Sequence, residues 1–304
     1  LTGEAGYDEA LLNNKPVVVV VENSPAARPQ WGLTSSDMVF EMVAEGGISR
    51  MLLVYSDLSR LPAKIGPVRS ARPYFVDITR GLGAAFIHFG GSIEAYNTLK
   101  SINISRMDGM ANDGTYFKRD ADRLAVTARE HTAYTTKEWV LKAIENKEYR
   151  TTLKDGYDNA FSFNIDGNEV LKDGSCVTAT VSFSSSYTYT LDYDKQENVY
   201  YSSLNGNPFM DSNGTQQNFE NIVILYTNIS AIAGDTKNRV DFDLNEGHGT
   251  YISNGSYETI KWEKGSSTDM LKLYDSEGEE LKLNTGRTYI AICDNDREAV
   301  NTIS

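Results

Sequence analysis

The hydrophobic pattern changes its period near residue 150, and the two sides read as units of different kinds. Before it, apolar runs alternate with helical patterns. Residues 16–22 form a valine-rich run suited to a buried strand, and residues 50–55 and 84–89 read the same way. Helices are expected from Ser70 to about Arg80, with Pro73 in the first turn, and from Ser92 through Lys100. A third should follow Thr135, which stands at capping-box spacing from Glu138, and end near Lys147. Residues 37–44 fit either period. This alternation predicts a layered α/β fold for the first half.

After residue 150 the helical patterns disappear. Nine short strand candidates follow, at 175–183, 187–193, 198–202, 221–226, 240–243, 249–253, 259–262, 271–274 and 288–293. Asn, Asp, Gly and Ser fill the gaps, and hairpin turns are expected at 205–207, 254–255 and 276–278. The chain therefore reads as a polar leader (1–14), an α/β domain (15–152) and a mainly β domain (153–304), with the boundary between Arg150 and Tyr157.

Charge divides at the same place. Residues 1–150 carry 18 Lys and Arg against 18 Asp and Glu, whereas residues 151–304 carry 11 against 24, so the second half holds the whole net charge of -13. An acidic surface disfavours nucleic acid and direct docking on anionic lipid. The longest aliphatic run, 17–21, is too short to span a bilayer. The chain starts at Leu1 rather than Met, so any leader or lipid-attachment Cys is expected to precede it. Cys176 and Cys293 stand in strand-like runs, and either two buried thiols or one disulfide would fit them. Their spacing does not suit a structural zinc site, and no metal or cofactor is expected.

Candidate chemistry concentrates in the neutral half. Asn23 and Arg28 lie in a turn-rich loop (22–32) after the valine run, where α/β folds place ligands. Glu41 and Glu45 share one face whether the segment is helix or strand, and could act as acid and base in glycoside cleavage or pair with Arg50. Arg69 and Arg72 sit at the start of the first expected helix; they could hold a carboxylate or phosphate, or pair with Glu41 and Glu45. His88, Gly90, Gly91 and Ser92 form a strand-to-helix turn that lacks the Lys of a phosphate-binding loop and the spacing of a nucleophile elbow. Ser92 could be a nucleophile with His88 or His131 as base, and the two histidines with Asp108 could instead bind a metal, although they do not stand at the His-Glu-Xaa-Xaa-His spacing. His248, in a turn of the acidic half, reads as a surface residue.

These clusters also carry a resemblance. Glu-Asn-Ser-Pro-Ala-Ala-Arg-Pro-Gln-Trp-Gly-Leu (22–33), Glu-Met-Val-Ala-Glu-Gly-Gly-Ile-Ser-Arg (41–50), Ile-Gly-Pro-Val-Arg-Ser-Ala-Arg-Pro-Tyr-Phe (65–75), the His88–Tyr96 stretch and His-Thr-Ala-Tyr-Thr (131–135) resemble, in order, the motifs of the YerB-like bacterial lipoprotein family. In the acidic half, Asp211, residues 221–225, Gly-His-Gly (247–249), Trp-Glu-Lys (262–264), residues 275–278 and Asn-Thr-Gly-Arg-Thr-Tyr-Ile (284–290) resemble its second domain. One departure is at 202–204, where the family tends to carry an Arg and this chain has none. The resemblance implies a lipid-anchored protein on the outer face of the cytoplasmic membrane, mostly in Gram-positive organisms. It also implies a layered α/β first domain, and it brings no known reaction.

Three functions compete on this reading. The first is a binding or regulatory protein that recognises an anionic or glycan-like ligand, such as a peptidoglycan fragment, or an envelope partner protein, through Asn23, Arg28, Arg50, Arg69, Arg72, Ser92 and Asp108. The second is a cell-wall hydrolase using Glu41 or Glu45 with help from His88 or His131. The third is a scaffold whose polar motifs only hold the fold.

Overall fold

The computed structural model describes residues 1–4, 13–154, 157 and 161–304. Most of the expected leader, together with Asp155 and Gly156 of the expected boundary segment, lies outside these residues.

An eleven-stranded mixed sheet runs through both halves of the chain. The first half supplies β1 (Val17–Glu22), β2 (Met38–Glu45), β3 (Ile48–Tyr55), β4 (Ala85–His88) and β5 (Arg106–Asp108). The second half supplies a small sheet, β6 (Thr178–Ser184), β7 (Tyr187–Asp194) and β8 (Val199–Leu204) with two short flanking strands. It then adds β9 (Asn221–Thr227), β10 (Glu246–Ser253), β11 (Ser256–Glu263), β12 (Lys272–Tyr274) and β13 (Thr288–Asp294) to the large sheet. The order there is β12-β11-β10-β9-β13-β2-β3-β1-β4-β5, with Gly174–Ser175 also paired to β11. β13 pairs in parallel with β2 on one side and β9 on the other, so the two halves are joined strand to strand.

The mixed directions explain the sequence pattern. β1 is covered on both faces and is buried along its whole length, which is why it reads as an unbroken valine run. One face packs against helices α1 (Pro73–Gly81) and α2 (Ile93–Ser101), through Val18, Val20, Phe40, Leu52, Phe75 and Phe86. The other packs against the small sheet and helix α3 (Lys137–Asn146), through Val19, Val21, Leu53, Val140, Val181, Leu191 and Tyr200.

All nine strand candidates of the second half form strands, and Asn205-Gly206, Asn254-Gly255 and Gly278 take the positive φ of tight turns. Three expectations need correction. Ser70 does not cap α1: Arg72 holds the cap position, because Ser70 and Ala71 run extended beside the β4 loop, where Ala71 N donates to Gly90 O. Thr136 rather than Thr135 caps α3 by accepting from Trp139 N; Thr135 instead donates to Tyr116 O, so no capping box forms with Glu138. Cys176 and Cys293 are separate buried thiols, each with its pKa pushed up by burial, to about 11 and about 12. None of the described helices is long and apolar enough to cross a membrane.

Candidate functional site

Segment 37–44 belongs to β2, and its register sets the fate of the two carboxylates. β2 pairs with β3 in alternation until a bulge between Val43 and Glu45 inserts an extra residue. The shared face expected of Glu41 and Glu45 is lost there, and the two serve separate clusters.

Glu41 is 1% exposed. Its carboxylate accepts from Asn23 Nδ2 at 2.8 Å, Tyr189 Oη at 3.1 Å, Tyr289 Oη at 2.9 Å and Ser49 Oγ. Burial pushes its pKa up, against the opposing pull of these four donors. No substrate reaches a carboxyl enclosed in this way, so Glu41 is no acid–base catalyst for an external glycan. Asn23 belongs to the same network rather than to a ligand site. Its amide donates to Glu41, Ser49 and Tyr189, while its Oδ1 accepts from Arg28 Nε and Gln30 Nε2. Arg28 also donates to Asn23 O and lies over the Tyr187 ring at 5.2 Å, so its side chain is committed to the loop.

Glu45 is shared by Arg50, at 2.5 Å, and Arg72. Arg50 also donates to Ser70 O and Arg72 to Ala71 O. Burial lowers the pKa of both guanidinium groups, Arg50 to about 10, with neighbouring Arg69 adding to the effect on Arg50. Arg72 thus pairs with Glu45 as one alternative foresaw, and Arg69 points elsewhere.

Arg69 reaches the carboxyl ends of the parallel strands β1, β4 and β5, which finish at Glu22, His88 and Asp108. Ligands of open α/β sheets bind at such ends. Here the loops beyond the strands surround an open cleft of about 350 Å³. Val68, Arg69 and Ser70 form one wall, and Phe89, Gly90 and Gly91 form the turn after β4. Tyr96, Met110, Arg119 and Glu130 complete the lining. Gly90 has φ 75°, a conformation that suits a residue without Cβ, and its N–H donates to Asp108 Oδ1 at 3.0 Å.

The cationic groups of the cleft are only partly committed. Arg69 Nη2 donates to Glu130 at 3.0 Å and its Nε lies 3.4 Å from Glu22. Arg119 stacks over Phe89 at 4.0 Å and donates from Nη1 to Arg129 O. Arg69 Nε and Arg119 Nε are buried without a hydrogen-bond partner, and among the described residues the terminal nitrogens donate only from Arg69 Nη2 and Arg119 Nη1, leaving Arg69 Nη1 and Arg119 Nη2 over. Burial, then the positive charges of Arg129 and Arg69, lower the pKa of Arg119 against the pull of Asp113.

The histidines differ. His88 is fully buried, stacked on Phe86, with Nδ1 2.8 Å from Gly90 O. Burial lowers its pKa despite Asp108 nearby, so it shapes the turn as a neutral ring. Asp108 accepts from Gly90 N, Tyr96 Oη and Met110 N; burial works against its charge, but these donors hold its pKa low. It braces the cleft from beneath and does not line it. Ser92 accepts from Ala95 N as the α2 cap, and its bonds include neither histidine, so no nucleophile–base pair exists there. His131 follows the cleft residue Glu130, with Nδ1 2.9 and 3.0 Å from the two Glu22 oxygens. Ser24 approaches the same nitrogen at 3.4 Å, on the wrong side of the ring for a serine relay. His248 is half exposed and pairs with Glu298. No group of three or more His, Cys, Asp or Glu among the described residues is placed to hold a metal ion.

Sequence reasoning missed Glu22, Arg119 and Glu130. Glu22 had a signal, as the one charged residue ending a buried valine strand. Arg119 and Glu130 lie in irregular segments with no periodicity to mark them.

The motifs of the acidic half mostly fasten the two halves together. Asp211 accepts from Gly32 N and from Thr34 N and Oγ1. Arg287 donates to Ser36 O, Leu33 O and Asn218 O. Gly247 leaves room for Trp262, whose indole donates to Tyr226 O and His248 O; a Cβ there would stand 2.4 Å from Tyr226 O.

Two family models match, described as the N-terminal and C-terminal domains of a protein of unknown function (DUF3048), over residues 1–150 and 179–290. A protein of Bacillus subtilis (strain 168) named "Putative lipoprotein YerB" is 31% identical over 290 residues, covering 94% of this chain and 83% of its own. The crystal structure of the YerB protein from Bacillus subtilis superposes with a TM-score of 0.84 at 30% identity, covering 98% of this chain and 97% of that one. The layered α/β half, the mainly β half and the ordered motifs agree with these matches, and the chain belongs to the two-domain DUF3048 family that includes YerB.

Proposed function

We propose that this chain is the outward-facing part of a lipid-anchored envelope protein, and that it binds an anionic ligand in the cleft at the carboxyl ends of β1, β4 and β5. The lipid anchor is supported by the name of the Bacillus subtilis relative, "Putative lipoprotein YerB", which is similar over 94% of this chain, and the outward-facing location is proposed together with it. The observation that carries the binding reading is the pair Arg69 and Arg119. Each has one terminal guanidinium nitrogen without a hydrogen-bond partner among the described residues, at an open cleft beside the Gly90–Gly91 backbone. Planar guanidinium forks match carboxylate and phosphate oxygens, and the cleft volume is in the range of small-molecule sites. Peptidoglycan fragments, whose stem peptides carry free carboxylates, are the ligands proposed; an acidic segment of an envelope partner protein has the same chemistry.

Titration of soluble muropeptides followed by calorimetry tests the reading. Wild-type protein should bind saturably, and Arg69→Ala combined with Arg119→Ala should weaken binding by at least about tenfold. Binding unchanged in the double variant would remove the cleft from consideration.

A further inference from the structure

Resting on that reading of the cleft, we infer that Glu130 occupies the oxyanion position of the site, and that the ligand carries a terminal carboxylate or phosphate which displaces Glu130 from Arg69 and His131. Two parts of this arrangement differ in rigidity. The receiving part is fixed. Glu22 is 4% exposed at the end of β1, holds His131 Nδ1 through both oxygens and lies 3.4 Å from Arg69 Nε. With Nδ1 so engaged, the ring is oriented and its Nε2 faces away from Glu22.

The occupant is free to move. The Glu130 side chain is 56% exposed and sits on the short turn Arg129–His131. Its Oε1 lies 3.0 Å from Arg69 Nη2 and 3.9 Å from His131 Nε2. An exposed glutamate held this way is the intramolecular counterpart of a ligand oxygen, since a partly solvated ion pair yields readily to a competitor that brings further contacts. Those contacts are at hand: Arg119 Nη2, and an apolar wall of Phe89 and Met110, the latter 68% exposed. The site therefore suits an oxyanion joined to a short apolar segment, such as a peptide carboxyl terminus or an alkyl phosphate.

The test uses two probes, N-acetyl-alanyl-alanine with a free carboxyl terminus and glycerol phosphate. Each is titrated by nuclear magnetic resonance into wild type, Glu130→Gln and Arg69→Lys. Removing the internal competitor should tighten binding of one probe about tenfold, as expected when the competent state is populated about a tenth of the time. Arg69→Lys should weaken the same probe about tenfold through loss of the planar fork. The probe that responds distinguishes a carboxylate from a phosphate ligand. Binding by wild type that Glu130→Gln leaves equal or weaker for both probes would overturn the role of Glu130 while leaving the cleft as a site. Absence of binding to all three proteins, with unchanged melting curves, would overturn this inference, and the muropeptide titration would then decide the cleft independently.

Discussion

Two polar clusters lie within one small region of this molecule, and they are built in opposite ways. Around Glu41 every neighbour donates inward. Asn23, Ser49, Tyr189 and Tyr289 close over the carboxyl and leave no path for solvent. Arg69, Arg119 and His131 are instead braced from behind by Glu22, Phe89 and Asp113, and their outer atoms meet only the half-exposed Glu130, the Arg129 carbonyl and the open cleft. A buried polar group must be satisfied by the protein itself, because an unmet hydrogen bond there costs more than a made one returns. A group at a cleft rim can leave part of its capacity to water or a ligand. The contrast separates residues that hold the fold from residues that can take part in function, although both kinds carry charge in the sequence.

The largest expected effect attacks the closed cluster. Glu41→Ala should destabilise the protein by about 3–5 kcal/mol in urea unfolding, since four donors lose their acceptor and a cavity remains. A loss below about 1 kcal/mol would show that the network is not satisfied as described. Next is Arg287→Ala, which removes donors to Ser36 O, Leu33 O and Asn218 O; a loss of about 3 kcal/mol is expected from the same measurement. If the melt also became biphasic, the two halves would have been uncoupled.

A third experiment uses pH. The native pKa of Glu41 is raised above its ordinary 4.5, so the folded state holds the proton more tightly than the unfolded chain. This contribution to stability is complete below the unfolded value and is lost as pH rises through the raised native value. Wild-type stability should therefore fall over that window more steeply than stability of Glu41→Gln, which has no proton to lose. Asp77, pushed up to about 6 by burial, adds a slope of the same sign to both proteins and cancels in the comparison. Equal slopes would show that Glu41 has the same proton affinity folded and unfolded. The smallest stability effect belongs to the open cluster: Arg69→Ala should cost no more than about 1 kcal/mol, because its ion pairs are partly solvated, while abolishing most ligand affinity. A larger loss would move Arg69 into the structural class with Arg72.

Much of the fold was legible in the chain. The valine run of β1, the strand candidates of the acidic half and the Ser92 cap carry their information locally, in periodicity and turn chemistry. The candidate site was less so. Arg28, Arg50, Arg69 and Arg72 look alike in sequence, but three of the four are committed to Asn23 or Glu45, and only the path of the chain through Ser70 and Ala71 separates Arg69 from Arg72. One inserted residue before Glu45 parts it from Glu41, and no local signal marks that bulge. Cys176 and Cys293 look pairable from their strands alone, yet one flanks the small sheet and the other lies in the large one.

The place of β13 also bears on how the chain is assembled. This strand, the last of the sheet in order of synthesis, sits between β2 and β9. Until residues 288–294 are available, two long apolar strands each keep a raw flank, of the kind that invites pairing with other molecules. Tyr289 arrives on the same strand, so the carboxyl of Glu41 waits for its final hydroxyl until the sheet is sealed. The molecule is thus obliged to mature late and as a whole, which gives any factor that shields nascent chains a defined interval in which it is needed.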